Sequence, residues 1–369
     1  MQRSVAILGT RGYPSYYGGF ETAVRHLAPA LADLGWDVTV YGRADEAGAH
    51  AEDADVRVHR VVTRGVDSRS LSTLSYGFTA SLDALRRRPD VALVMNVANG
   101  FWLPLLKARG IPTVVNVDGT EWLRAKWGPV ARRVFRAGAW FTAKSATTTV
   151  YDARAIQELW REKFSREGVF IPYGGEPLGE QLPVEPGLTR GGYVLIVARL
   201  VPENSIREFL EAVPRLAAEH DVVIVGSSRY GGDLDRAVEQ LADEHVRVHW
   251  LGSVADDRRL LGLWQNAGVY FHGHSVGGTN PALVQAMAAG AVIVARDTVF
   301  NREVLADAGE FVAPDPVAIG DAILALLVDD VRRERLSEAA RARARAHYSW
   351  SDVCAAYAAA LEAAADGGR

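Results

Sequence analysis

The sequence predicts an α/β protein built from two doubly wound parallel sheets, and three observations carry that expectation. Short all-apolar runs ending in glycine or a polar loop recur through residues 5–150 and again through 193–295. Such runs read as strands buried on both faces, the way parallel sheets are made. Between the two series, residues 177–192 are rich in Pro, Gly and polar residues with no period, as a linker would be. Each half also holds a small-residue loop that runs into a helix: Gly9-Thr-Arg-Gly-Tyr-Pro-Ser-Tyr-Tyr-Gly-Gly-Phe-Glu21 in the first, and His272-Gly-His-Ser-Val-Gly-Gly-Thr-Asn-Pro281 in the second. Backbone N–H groups at a helix start point outward with partial positive charge, and glycines let an anion come close. Two anion-ready loops suggest a diphosphate-bearing ligand held between two domains.

In chain order, residues 5–8 are a buried strand ending at Gly9. Residues 20–34 have helical apolar spacing with Gly35 as the stop signal, and 36–41 are the next strand, completing a βαβ unit. Further strands are expected at 91–95, 113–117 and 146–150. The second series starts with a strand at 193–197, a helix at 206–218 and a strand at 222–225 that ends at Gly226. Strands at 246–251, 269–272 and 292–295 follow, with a helix at 282–289. Residues 318–327 and 331–346 read as helices, and 348–365 as an Ala-rich tail helix. The expected layout is a first domain over 1–176, a linker over 177–192, a second domain over 193–347 and a tail over 348–369.

Composition narrows the function classes. Apolar content of 49% and charged content of 23% are those of a soluble globular protein. A net charge of −4 gives no bulk field toward nucleic acid or anionic membrane, leaving only a local basic patch open. Residues 5–8 are too short for a signal-peptide core, and no apolar run has the roughly 18 residues of a membrane span. Cys354 is the only cysteine, which excludes an internal disulfide and suits a reducing, cytoplasmic compartment. Lysine stops at Lys163, so any side-chain cation acting further on is an arginine or a protonated histidine.

Several strings in the chain resemble the GT-B glycosyltransferases of family 4, and within them the rhamnosyltransferase-like subgroup of bacterial cell-surface polysaccharide clusters. They are Gly9-Thr-Arg-Gly12, Tyr17-Gly-Gly-Phe-Glu-Thr22, Asn116-Val-Asp-Gly-Thr-Glu-Trp-Leu-Arg-Ala-Lys-Trp127, Ile171-Pro-Tyr-Gly174, Val197-Ala-Arg-Leu-Val-Pro-Glu-Asn204, His272 to Pro281, and Phe300-Asn-Arg-Glu303. The resemblance implies two Rossmann-like domains facing a central cleft, and a tail helix that crosses back to the first domain. It implies transfer of a sugar, rhamnose or another hexose or deoxyhexose, from a nucleoside diphosphate sugar to a hydroxyl acceptor, with retention of configuration. No cofactor and no metal are expected. The acceptor is a lipid-linked sugar or a small-molecule aglycone, so contact with the inner membrane face stays open. Two departures stand out: the family's pair of donor-site glutamates, eight positions apart, falls here on Gly277 and Gln285. The family's frequent lysine after Arg199 is replaced by Asn204, as in the subgroup.

The resemblance assigns donor binding to Arg11, Gly18, Gly19, Arg199, Asn204, His274, Gly277, Gly278, Thr279, Asn280, Gln285 and Glu303. Gly18 and Gly19 either meet donor phosphate or sugar through their backbone or form an ordinary strand–helix turn; Arg11 either touches a ligand or ties its loop. Arg199 follows a buried strand, where open α/β sheets place ligands, and its planar fork suits a diphosphate; an interdomain ion pair is the alternative. Gln285 keeps the reach of a ribose-binding glutamate and loses its charge, which leaves altered donor choice or weakened catalysis open. Thr279 and Asn280 either offer amides to the diphosphate or cap the helix. His272 and His274 are either a core and a loop histidine or, less readily, metal ligands. Asp118, at another strand end, and Glu121 are candidates to orient or deprotonate the acceptor hydroxyl, a loop-stabilising hydrogen bond being the alternative for Asp118, and Asp118, Arg199 and Glu121 are the expected catalytic residues. Trp122, Arg124, Lys126 and Trp127 are either sugar- or lipid-facing or core. The alternatives at the level of function are a nucleotide-sugar epimerase, a phosphorylase, or a degenerate member that binds nucleotide without turnover.

Overall fold

The computed structural model describes residues 2–16, 18–43, 51–66, 72–123, 128–228 and 231–367. They divide into two compact units, residues 1–173 with 350–369, and residues 174–349.

The first unit carries β1 (Ser4–Leu8), β2 (Asp37–Arg43), β3 (Val58–Thr63), β4 (Val91–Met95), β5 (Thr113–Asn116), β6 (Thr148–Tyr151) and β7 (Val169–Phe170). They form one parallel sheet in the order β3-β2-β1-β4-β5-β6-β7. Its helices are α1 (Gly19–Asp33), α2 (Ser72–Arg87), α3 (Leu103–Ala108), α4 (Pro129–Ser145) and α5 (Arg154–Phe164). Alternation along the strands feeds two cores. Val5 and Ile7 pack with α1, whereas Ala6 and Leu8 pack with Ala80 and Ala84 of α2 and Leu103 and Leu106 of α3. Both faces are therefore apolar, which is why the runs are uninterrupted. Gly35, at φ +83, ends α1 by bonding back to Ala32, and Trp36 bonds back to Leu31.

The second unit carries β8 (Tyr193–Val197), β9 (Asp221–Val225), β10 (Val248–Gly252), β11 (Val269–His272), β12 (Ile293–Arg296) and β13 (Glu310–Val312), parallel in the order β10-β9-β8-β11-β12-β13. Its helices are α6 (Ile206–Leu216), α7 (Asp233–Glu244), α8 (Asp257–Asn266), α9 (Pro281–Ala289), α10 (Val299–Leu305), α11 (Pro316–Leu327) and α12 (Asp330–His347). Val194, Ile196 and Phe271 pack with α6 and α11, and Leu195, Tyr270 and Ile293 pack with α9 on the other face. Side chains of Asp256, Thr298, Asp315 and Asp329 accept first-turn N–H bonds and set the starts of α8, α10, α11 and α12.

Two segments differ in character from a plain composition reading. Residues 177–192 contain no helix or strand, yet they are tied to the second unit. The Asn266 amide of α8 donates to the carbonyls of Leu182 and Pro183, and Leu182 is buried. Low periodicity there marks irregular backbone rather than a free tether. The tail helix, α13 (Trp350–Gly367), packs in the core of the first unit, with Trp350 stacked on His26 at 4.2 Å and Tyr357 and Leu361 buried.

Candidate functional site

Open parallel sheets bind ligands beyond the carboxyl ends of their strands, at the point where strand order reverses. That point lies between β8 and β11 in the second unit and between β1 and β4 in the first. The sequence-derived residues gather at these two points, and each is described within its own unit.

In the second unit the loops after β8 and β11 are bonded together. Ser275 donates through its backbone N–H and its hydroxyl to the Glu203 carbonyl, at 3.0 and 2.7 Å, and the Ser205 hydroxyl donates to the Gly273 carbonyl at 2.9 Å. A Cβ on Gly273 would lie 2.2 Å from the Asn204 carbonyl oxygen, so only glycine permits this approach. Arg199 stands at the end of β8 and is exposed; its guanidinium makes no hydrogen bond or ion pair among the described residues. The Asn204 amide donates to the Arg199 carbonyl at 2.9 Å. Asn204, read from the sequence as a donor contact, thus spends its amide bracing the arginine loop.

The segment from Gly273 to Pro281 contains no acidic residue and leads into α9. Asn280 caps that helix, accepting from the Ala282 N–H at 3.0 Å. The capping alternative therefore describes its side chain. The N–H groups of Gly277 and Gly278 donate no hydrogen bond among the described residues and stand just ahead of the positive end of α9. Gly277 has φ +117, a conformation that side chains resist. Thr279 is buried, and Gln285 lies one turn into α9, half-buried and without a hydrogen bond among the described residues.

His274 stacks on His272 at 4.4 Å, and its carbonyl accepts from the Asn301 amide of α10 at 3.0 Å. His272 is fully buried and bonds the Tyr270 hydroxyl at 2.9 Å. Burial, and then the neighbouring His274, push its pKa well below the ordinary histidine value, so it is neutral. This is one core and one loop histidine. Glu303 is half-buried in α10, and its carbonyl accepts from Arg343 at 2.8 Å.

The first unit's switch point has the opposite charge. Gly9, at φ +88, lets β1 turn against β4, since a Cβ there would lie 2.3 Å from the Met95 carbonyl oxygen. Arg11 is held by its backbone: its N–H donates to the Glu21 carboxylate at 3.2 Å and its carbonyl accepts from Arg43 at 2.9 Å. Gly18 caps α1 and Gly19 opens it, but the buried Glu21 already places a carboxylate in the first turn. A ligand phosphate at that helix start would meet like charge.

Asp118 follows β5 with φ +59, a left-handed conformation that aspartate and asparagine tolerate better than other side chains. Its N–H donates to Asn116 Oδ1 at 2.8 Å, while Asn116 Nδ2 donates to the Tyr357 hydroxyl at 2.6 Å. Asn96, itself at φ +71 after β4, approaches the Asp118 carboxylate at 3.4 Å. Glu121, three positions after Asp118, and Asp152, directly after β6, are both buried. Burial first, then the nearby Asp118 and Asp152 carboxylates, drive the Tyr173 phenol well above its ordinary pKa. Trp122 is core: it meets Trp160 and Phe164 edge-on at 6.2 and 5.9 Å. Arg124, Lys126 and Trp127 lie outside the described residues.

Sequence reasoning missed Glu21 as an occupant of the α1 start, and Asn96, Asn116 and Tyr357 as the frame around Asp118. Only the first had a local signal, an acid in the first turn of a helix.

Comparison with known proteins agrees with this architecture. The glycosyl transferase 4-like domain family matches residues 18–174, and the glycosyl transferases group 1 family matches residues 191–329. The chain is 31% identical to the phosphatidyl-myo-inositol mannosyltransferase of Mycolicibacterium smegmatis, over 92% of this chain and 88% of that protein. It is 28% identical to the MMP alpha-(1->4)-mannosyltransferase of Mycolicibacterium hassiacum over 98% of each. Among solved structures, sucrose-phosphate synthase from Thermosynechococcus elongatus superposes with a TM-score of 0.77 at 18% identity, covering 98% of each chain. Anabaena HepE in complex with UDP-glucose gives 0.76 at 14% identity, covering 98% of this chain and 100% of that one. At those identities the structural likeness shows the fold. Both of these sequence relatives are named for mannosyl transfer, not rhamnosyl transfer.

Proposed function

The chain belongs to the GT-B glycosyltransferases with a 4-like first domain and a group 1 second domain, and from that premise we propose that it moves a hexosyl or deoxyhexosyl unit from a nucleoside diphosphate sugar to a hydroxyl acceptor. The observation that carries this reading is that the second unit holds, after β8, an exposed Arg199 and, after β11, the N–H groups of Gly277 and Gly278 ahead of α9, none of them hydrogen-bonded among the described residues. As the anomeric C–O bond to the diphosphate breaks, negative charge grows on the leaving oxygen. A preorganised guanidinium and oriented amides stabilise charge where it develops, without a metal ion. In the first unit the Asp118 carboxylate accepts the hydrogen bond of the attacking hydroxyl, held in place by Asn116 and Asn96. Gln285 offers a neutral acceptor to the ribose, which sets no charge against the diphosphate.

The names of the relatives favour mannose as the sugar, and the motif resemblance favours rhamnose. Retention of configuration is carried as the family's expectation. The test is a donor screen with UDP-, GDP-, dTDP- and ADP-sugars, read first by thermal shift and then by nucleotide release with simple glycoside acceptors. One nucleotide should raise the unfolding temperature, and its sugar conjugate should release nucleoside diphosphate only when acceptor is present, equally well in chelator. Conversion of the sugar without acceptor would point to an epimerase. Binding with no turnover on any acceptor would point to a degenerate, nucleotide-binding member.

A further inference from the structure

Burial and hydrogen bonding disagree at one acid of the second unit. Glu203 stands in the loop after β8, directly before the asparagine that braces Arg199, and is only 9% exposed. Its Oε1 is closed off from solvent and accepts no hydrogen bond, and no cation pairs with the carboxylate among the described residues. Arg199, four positions earlier, is exposed, and Arg296 at the end of β12 donates to the Ser205 hydroxyl at 3.0 Å. A carboxylate withdrawn from water without a partner is among the costliest groups a fold can keep.

The residue is also held still. Pro202–Asn204 forms one tight 3₁₀ turn, with the Asn204 N–H donating to the Val201 carbonyl at 3.0 Å. The Glu203 carbonyl accepts both Ser275 bonds, from the backbone N–H and from the hydroxyl. Its backbone is thus fixed by its own loop and by the loop after β11. The side chain is an acceptor set in place with nothing to accept.

The surroundings narrow what it can take. Across Arg199–Ser205 and Gly273–Pro281, Glu203 is the only acid. A carboxylate accepts hydrogen bonds and attracts cations. A diphosphate supplies neither and would meet like charge. Among the described residues, no group of three acids, histidines or cysteines could hold a metal ion. What remains in a nucleoside diphosphate sugar is its hydroxyls, on the ribose and on the transferred sugar. Gln285, inside α9, is the acceptor on the ribose side, whereas Glu203 shares its loop with Arg199, beside the bond that breaks.

We infer that Glu203 accepts hydrogen bonds from hydroxyls of the transferred sugar, so that it selects the donor by its sugar and not by its nucleotide. The inference rests on the reading of the second unit as the donor site. A buried group built to bond a substrate hydroxyl discriminates strongly, because an analogue lacking that hydroxyl leaves the group unpaired again.

The experiment measures affinity, by thermal shift and titration calorimetry, for UDP, GDP, dTDP and ADP and for UDP-glucose, GDP-mannose, dTDP-rhamnose and ADP-glucose, in the wild type and in Glu203→Gln. Glutamine keeps the size and removes the charge. For the nucleotide that the wild type binds, the variant should hold the free diphosphate as tightly as the wild type or more so. It should bind the sugar conjugate about 10- to 150-fold more weakly, the loss of one charge-assisted hydrogen bond. Donors with one sugar hydroxyl replaced by hydrogen close the cycle: one of them should lose that same factor in the wild type and nothing further in the variant. Should Glu203→Gln fail to fold, Glu203→Asp, which withdraws the carboxylate by one methylene, should show the same split. Equal weakening of nucleotide and conjugate would make Glu203 a brace or a ribose contact, and would overturn the inference while leaving the donor site in place. Unchanged affinity for both would overturn it too. A wild type that binds none of the nucleotides would remove the donor-site reading, and the inference with it.

Discussion

The two switch points share a topology and differ in sign. Beyond β8 and β11 the second unit presents an exposed arginine, an acid-free glycine loop and a helix start, with the neutral Gln285 one turn in. Beyond β1, β4 and β5 the first unit presents Glu21 in the first turn of α1, Asp118 in a left-handed conformation and a tyrosine whose ionisation those carboxylates oppose. One scaffold has been given two electrostatic characters. The positive pole suits a leaving diphosphate, and the negative pole suits a neutral hydroxyl that must lose a proton. A strand-end glycine loop alone does not identify a phosphate site; what decides is which charges already stand at the adjoining helix start.

The contrast can be broken most sharply at the negative pole. Asp118→Asn keeps a side chain that tolerates φ +59 and removes only the charge. Turnover should fall by about 10²–10⁴, with little change in stability, if this carboxylate handles the hydroxyl proton. At the positive pole, Gly277→Glu restores the family acid at a backbone with φ +117. It should cost on the order of 1–3 kcal/mol of stability, seen as a lower unfolding midpoint, and should weaken nucleotide binding through like charge. Unchanged stability would show that the loop relaxes.

Tyr357→Phe sharpens the account of how Asp118 is held. Removing the hydroxyl that accepts from Asn116 should cost about 1 kcal/mol. It should lower kcat a few-fold while leaving the donor KM in place; a KM change alone would mean that the tyrosine is structural. The smallest effect concerns pH. His272 is buried neutral, with its pKa pushed well below the usual value in the folded state. The unfolded chain takes up its proton near the ordinary value of about 6.5, and the folded chain does not. The contribution is therefore complete above that pH and is lost as pH falls below it, and urea midpoints from pH 7.5 downward should show a shallower fall in His272→Phe.

What could be read from the sequence followed a physical rule. Strands buried on both faces, such as β1, β4, β8 and β11, announce themselves as unbroken apolar runs, and their ends locate Asp118, Arg199 and His272. Among the strands, the short or edge ones escaped: β7 has two residues and β13 three, and β3 is mostly exposed, and the helices α2, α4, α5, α7 and α8 were not read from the sequence either. Roles set by tertiary contact escaped as well. Asn116 and Tyr357 meet across 241 positions, and the Asn204 amide is directed at a backbone carbonyl that no spacing rule reveals. Trp122 looked equally suited to a ligand or a core until Trp160 and Phe164 were found against it.

The division of labour between the two poles is tested most directly by nucleotide-induced thermal shift in the wild type, Arg199→Ala and Asp118→Asn side by side. A charge-assisted contact to a diphosphate is worth roughly 1.5–3 kcal/mol, so Arg199→Ala should weaken nucleotide binding about 10- to 150-fold while Asp118→Asn binds as the wild type does. Loss of binding in Asp118→Asn with Arg199→Ala unaffected would contradict the account and move the diphosphate to the first unit.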